Sequence, residues 1–229
     1  MRRIGLLGGM GWQSTLSYYR YLNQEVNARL GGHHSADLVI WSGDFAPMAE
    51  CTASRDWDTM ARVLTEAGRT LRDAGAEILV LGSNTAHVVA DEVEASSGVP
   101  VINVVDATAR RMEEAGVERA ALLGTAAVME SGFYRDRLTG NGIDCVIPEA
   151  RDRAEIDRII FDELVRGIVD DGSRRFFVDV IDRLVDLGAE GAVLGCTELG
   201  LLLDEDDAGV PGFNTTRIHA LAAVDAALR

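Results

Sequence analysis

All 22 basic residues of this chain are arginine, and lysine is absent from its 229 positions. Without a lysine amine there is no Schiff base to pyridoxal phosphate and no lysine for a Walker-type phosphate loop. Cysteine is scarce: Cys51, Cys145 and Cys196 are an odd number without framework spacing, which predicts reduced thiols and a cytoplasmic protein. No apolar run approaches the ~18 residues of a membrane helix, so no membrane partner is expected. The N-terminal MRRIGLLGGMG superficially resembles a leader peptide. Glycines break its apolar run, however, and Trp12, Gln13 and Ser14 stand where a cleavage site would be, so it reads as a buried strand entering a glycine turn. Basic clusters are also missing. A net charge of −15 argues against a nucleic-acid surface and fits solvated acidic helix faces. His33 and His34 have no cysteine or carboxylate at metal-ligand spacing, so neither a metal nor a cofactor is expected.

What is present describes a compact globular chain, 47% hydrophobic and 26% charged, long enough for one domain or two small ones. Short apolar runs at 3–7, 37–42, 78–82, 99–104, 119–124, 143–147, 191–195 and 210–213 are strand candidates. Amphipathic stretches at 15–30, 59–74, 107–115, 156–169 and 174–187 alternate with them, which indicates parallel α/β structure. Two motif pairs recur. DAGAEILVLGSNT (73–85) matches DLGAEGAVLGCTE (186–198), setting Ser83 opposite Cys196 at an offset of 196 − 83 = 113. IGLLGGMG (4–11) resembles AALLGTAAVM (120–129) at an offset of 116. The order and near-equal offsets predict two similar α/β lobes, residues 1–105 plus 210–229 and residues 106–209, joined near Val105. The last helix, 216–229, is expected to return to the first lobe.

In open parallel sheets ligands bind beyond the carboxyl ends of strands, where helix N-termini present free N–H groups. Two lobes facing one cleft would bring Ser83 and Cys196 to a trapped molecule from opposite sides. Such a pair suits inversion of a carbon, one group removing a proton and the other returning one. A thiol, with an ordinary pKa near ~8.5, can serve in either state. The loop Gly5 to Gly11 is out of register with G-x-G-x-x-G, so its backbone N–H groups suit a substrate carboxylate better than a dinucleotide. Cys51 and Cys145 read as structural. Trp12, Trp41 and Trp57 read as core or interface residues, and His87 as a helix residue near the cleft.

GGMGWQST (8–15), GSNTAH (82–87), LLGTAAVMESGFY (122–134) and GCTELGLL (195–202) together resemble the aspartate/glutamate racemase family, nearly end to end. The resemblance implies two similar lobes related by a pseudo-twofold axis, each a parallel sheet flanked by helices, with the active site between them. It implies a homodimer, independence from pyridoxal phosphate, and an amino-acid substrate. On that pattern Cys196 and Ser83 are the catalytic pair, with Cys196 taking the α-proton of the L-enantiomer. Asn84, Thr85, Thr125 and Thr197 match substrate-binding positions, and Gly9, Met10, Gly11 and Thr15 match the first loop. Glu198 joins this set, either influencing the thiol or favouring a helix N-terminus.

Two departures stand out. Most members have a second cysteine where this chain has Ser83, and it is closest to a broad-acting bacterial branch with a hydroxyl there. The arginine and lysine that many members use for the substrate side chain have no clear counterpart in GDFAPMAECTASR or FDELVRG, although Arg55 or Arg166 lies nearby. The alternatives are a single-cysteine decarboxylase or cis–trans isomerase of the same superfamily, or an amino-acid-binding protein without turnover.

Overall fold

A computed structural model describes every residue except Glu205 and Ala208. The described residues form seven strands: β1 (Ile4–Gly8), β2 (Leu38–Ser42), β3 (Ile78–Leu81), β4 (Arg119–Gly124), β5 (Asp144–Val146), β6 (Gly191–Gly195) and β7 (Gly212–Asn214). They make two parallel sheets, ordered β2-β1-β3 and β5-β4-β6-β7. The repeated sequences thus take the same places, with β1 and β4 central and β3 and β6 beside them. The chain divides into two compact units, Met1–Val104 with His219–Arg229, and Val105–Ile218.

Two expectations need correction. Residues 99–104 do not form a strand. The segment makes one isolated bridge, Leu79 to Val101, in which only Leu79 is paired, through its N–H to the Pro100 carbonyl (2.8 Å) and its carbonyl to the Ile102 N–H (2.9 Å), before a helix begins at Val104. Residues 210–218 do not join the first unit, because β7 pairs with β6 through Ala192 to Gly212 and Leu194 to Asn214. The two segments are nevertheless counterparts. GVPVIN (98–103) and GVPGFN (209–214) share glycine, valine, proline and asparagine at an offset of 111, and each lies beside the equivalent strand of its sheet.

The first sheet separates two cores with the period of two that strands impose. Ile4, Leu6, Ile78 and Val80 face Tyr18, Leu22 and Val26 of the helix Trp12–Leu30 and Ala220, Ala223, Val224 and Ala227 of the helix Thr215–Leu228. Leu7, Leu79 and Leu81 face the opposite way, toward Met60, Leu64, Ala67 and Leu71. Those four recur at i, i+4, i+7 and i+11 on the helix Trp57–Asp73, whose first turn is capped by Asp56 accepting the Thr59 N–H at 3.0 Å. Trp41 and Trp57 pack against this core, whereas Trp12 is 64% exposed. In the second unit, Ala121, Leu123, Ala192 and Leu194 pack on Ile156, Ile159 and Ile160 of the helix Ala150–Asp162 and on Phe177, Val180, Ile181 and Leu184 of the helix Asp171–Asp186.

Each unit is completed by a helix from the other half of the sequence. The helix Val104–Glu114 is held in the second unit by a bidentate Asp106–Arg137 pair (2.7 and 2.7 Å) and by Thr108, which hydrogen-bonds Tyr134. The last helix is held in the first unit by Arg29–Asp225, by the Arg2 N–H on the Ala227 carbonyl (2.8 Å), and by His219.

Candidate active site

Glycines bring both central strand pairs to a close at their carboxyl ends. Gly124 and Gly195 are register partners, and a Cβ on Gly195 would meet the Leu123 carbonyl oxygen at 2.7 Å. A Cβ on Gly82 would meet the Leu7 oxygen at 3.1 Å, and one on Gly8 would meet the Thr15 side chain at 2.7 Å. Close backbone approach therefore requires glycine at these ends, and the residue after each glycine leaves the sheet edge.

In the first unit Gly9 (φ 79°) and Gly11 (φ 94°) turn the loop between β1 and its helix. Thr15 shapes that loop: its hydroxyl accepts the Gly9 N–H at 2.9 Å and donates to the Gly11 carbonyl at 3.2 Å. Met10 is buried in the core beside Met48 and Cys51 and gives the edge only its backbone. At the neighbouring strand end Ser83 is half-buried, with Asn84 and Thr85 buried behind it. The Ser83 hydroxyl accepts the Ala86 N–H over a long 3.4 Å. His87 is buried beneath this turn, its Nδ1 2.8 Å from the Ser83 carbonyl oxygen.

In the second unit Thr125 follows β4 and caps the helix Ala126–Glu130, its hydroxyl accepting the Val128 N–H at 3.3 Å. Cys196, Thr197 and Glu198 follow the adjacent β6, all buried. One carboxylate oxygen organises them: Glu198 Oε2 accepts from Cys196 Sγ at 3.2 Å and from the Thr197 hydroxyl at 2.6 Å. Burial, followed by the charge of Glu198, pushes the Cys196 thiol well above its ordinary pKa, so it rests protonated; the Glu198 backbone N–H opposes this shift.

The structure adds Asp157, which the sequence reading passed over. It lies on the helix Ala150–Asp162 beside the buried Ile156, and its carboxylate accepts the Ala126 N–H at 2.7 Å. Burial raises its pKa, and its charge is near enough to raise that of Cys196. A carboxylate inside the apolar stripe Ile156, Ile159, Ile160 was the available signal.

Arg55 is exposed and takes the left-handed conformation (φ 56°) at the far end of the helix Phe45–Ser54, about 15 Å of helix rise from the end of β2. Arg166 is exposed and 3.7 Å from Asp162. Among the described residues no group of three or more His, Cys, Asp or Glu side chains is arranged to hold a metal ion, and no helix is long and apolar enough to cross a membrane.

The Asp/Glu/Hydantoin racemase family model matches residues 7–223. The chain belongs to that family. Members of the family that are aspartate and glutamate racemases are isomerases, and the two parallel sheets match the two-lobed racemase structures. A crystal structure from Yersinia pestis, of a protein assigned as an Asp/Glu racemase, is similar over all of both chains at 46% identity and a TM-score of 0.92. An aspartate racemase homologue from Pyrococcus horikoshii is similar over all of both chains at 31% identity and a TM-score of 0.87. The broad specificity amino-acid racemase RacX of Bacillus subtilis is 23% identical over 227 residues, 96% of each chain.

Proposed function

We propose that this racemase-family chain inverts the α-carbon of aspartate, glutamate or a related amino acid without a cofactor, using Cys196 and Ser83 as its two proton-transfer groups. The observation that carries this reading is the equivalence of their strand ends. β3 and β6 hold the same place beside the central strands β1 and β4, and each leads through a glycine to the position where one copy has a hydroxyl and the other a thiol. The lack of lysine supports a route without pyridoxal phosphate.

In this scheme Glu198 Oε2 takes the thiol proton it already accepts as a hydrogen bond, and the thiolate keeps the Glu198 N–H as donor. The thiolate then removes the α-proton of the L-enantiomer. The carbanion is stabilised through its carboxylate by Asn84, Thr85, Thr125 and Thr197 and by backbone N–H groups of the Gly9–Met10–Gly11 loop. Ser83 delivers its hydroxyl proton to the other face. The product leaves with Cys196 protonated as at rest, Glu198 still holding the thiol's original proton and Ser83 lacking one, and proton exchange with water returns Glu198 to its carboxylate and Ser83 to its hydroxyl.

We place the protein in the cytoplasm as a homodimer. Trp12, Leu16 and Tyr19 are 64%, 57% and 50% exposed at i, i+4 and i+7 of one helix, an apolar stripe suited to a second copy. Sedimentation of Leu16→Asp, expected to be monomeric, tests that surface. Chiral chromatography after incubation with single L-amino acids tests the activity. Appearance of the D-enantiomer is expected, whereas release of carbon dioxide, or binding without conversion, would overturn the proposal.

A further inference from the structure

We propose that His87 is a positioning residue that aims Ser83 and carries no proton in the reaction. The inference rests on the role proposed above for Ser83. Val104 gives its backbone N–H to His87 Nε2 at 3.2 Å, and a backbone N–H can only donate. Nε2 therefore holds the lone pair, the ring proton sits on Nδ1, and Nδ1–H donates to the Ser83 carbonyl at 2.8 Å.

A second imidazole supports the first. The rings of His87 and His219 are 5.3 Å apart and edge-on. His219 Nε2 donates to the Ile102 carbonyl at 2.5 Å, leaving Nδ1 to accept the Tyr18 hydroxyl at 2.8 Å. Two histidines thus hold Ile102 and Val104, and one of them extends that anchorage to the backbone of Ser83. Ser83, Val104 and His219 face the His87 ring, with Tyr18 behind His219. Among the described residues the Ser83 hydroxyl has only the long 3.4 Å approach of the Ala86 N–H to orient it, so its aim follows from its backbone. Misplacement of a reacting group by about 1 Å can reduce a rate by about 10²-fold.

Asparagine and leucine at this position separate the possibilities. In His87→Asn the amide nitrogen stands in for Nδ1 and keeps the bond to the Ser83 carbonyl. It should retain racemisation within about threefold and an unchanged pH profile. His87→Leu removes both bonds and should lose racemisation by about 10–10²-fold. In heavy water it should still exchange the α-hydrogen of the L-enantiomer, served by Cys196, while exchange from the D-enantiomer falls with racemisation. Equal loss of exchange from both enantiomers would reduce His87 to a fold residue. Loss of activity in His87→Asn together with the acid limb of the pH profile would make the imidazole itself the acid or base. Ser83→Ala run beside them distinguishes the two levels. Wild-type racemisation there removes Ser83 from the mechanism and the His87 proposal with it, whereas an inactive Ser83→Ala beside a symmetric His87→Leu overturns only the role of His87.

Discussion

His219 is fully buried, and burial, reinforced by the neighbouring His87, pushes its pKa down to about 3 against the favourable hydrogen bond to Ile102. The unfolded chain protonates this histidine near pH ~6.5, so between that value and about 3 the unfolded state holds one more proton than the native state. Stability from this group is therefore complete above ~6.5 and falls as the pH drops, by about 1.4 kcal/mol per pH unit, or about 2 kcal/mol between pH 6.5 and 5. His219→Gln removes the titration. It also loses one of the two buried hydrogen bonds, to the Tyr18 hydroxyl or to the Ile102 carbonyl, at a cost of about 1–3 kcal/mol at neutral pH. Urea unfolding of both proteins at pH 7.5, 6.5, 5.5 and 5.0 should show the wild type more stable at neutral pH, with the gap closing or reversing by pH 5. Parallel stability curves across this range would mean that His219 takes up a proton in the folded state, and the neutral-imidazole network would be wrong.

Cys196→Ala should lower racemisation by about 10²–10⁴-fold while leaving the unfolding transition nearly unchanged, and retention of a tenth of the activity would move the chemistry elsewhere. Glu198→Gln removes a charge that raises the Cys196 pKa, so alkylation of that thiol should begin at lower pH than in the wild type, read against a Cys196→Ala background to subtract Cys51 and Cys145. Gly195→Ala would press a methyl against the Leu123 carbonyl at 2.7 Å and should destabilise by about 1–3 kcal/mol, measured as a lowered urea midpoint.

Much of this architecture could be read from the residues because both repeated strands carry unbroken apolar runs ending on glycine, a pattern that buried parallel strands require. The run at 99–104 shares its proline with the counterpart 210–213, yet it makes one bridge where Gly212–Asn214 make a strand, and composition alone does not reveal that. The helix Phe45–Ser54 went unread because its apolar residues lack a long periodic stripe, although Asp44 marks its start by accepting the Ala46 N–H. Cys196 and Ser83 stood out by alignment of the halves. Asp157 and His219 did not, since each acts through a partner distant in sequence: Asp157 through Ala126, 31 positions away, and His219 through Ile102, 117 positions away.

The exchange of final helices between the halves also governs the order in which the molecule can be finished during synthesis. Val104 and His219 bound the gap in the first unit, and 219 − 104 = 115 positions separate them. At roughly 5–20 residues per second a ribosome needs about 6–23 seconds to cross that interval. Throughout it Leu6, Tyr18, Leu22 and Val26 have been made while Ala220, Ala223 and Val224, which cover them, have not. The unit that begins first is therefore completed last, and its half-built apolar face must wait on the ribosome for its own C-terminal helix.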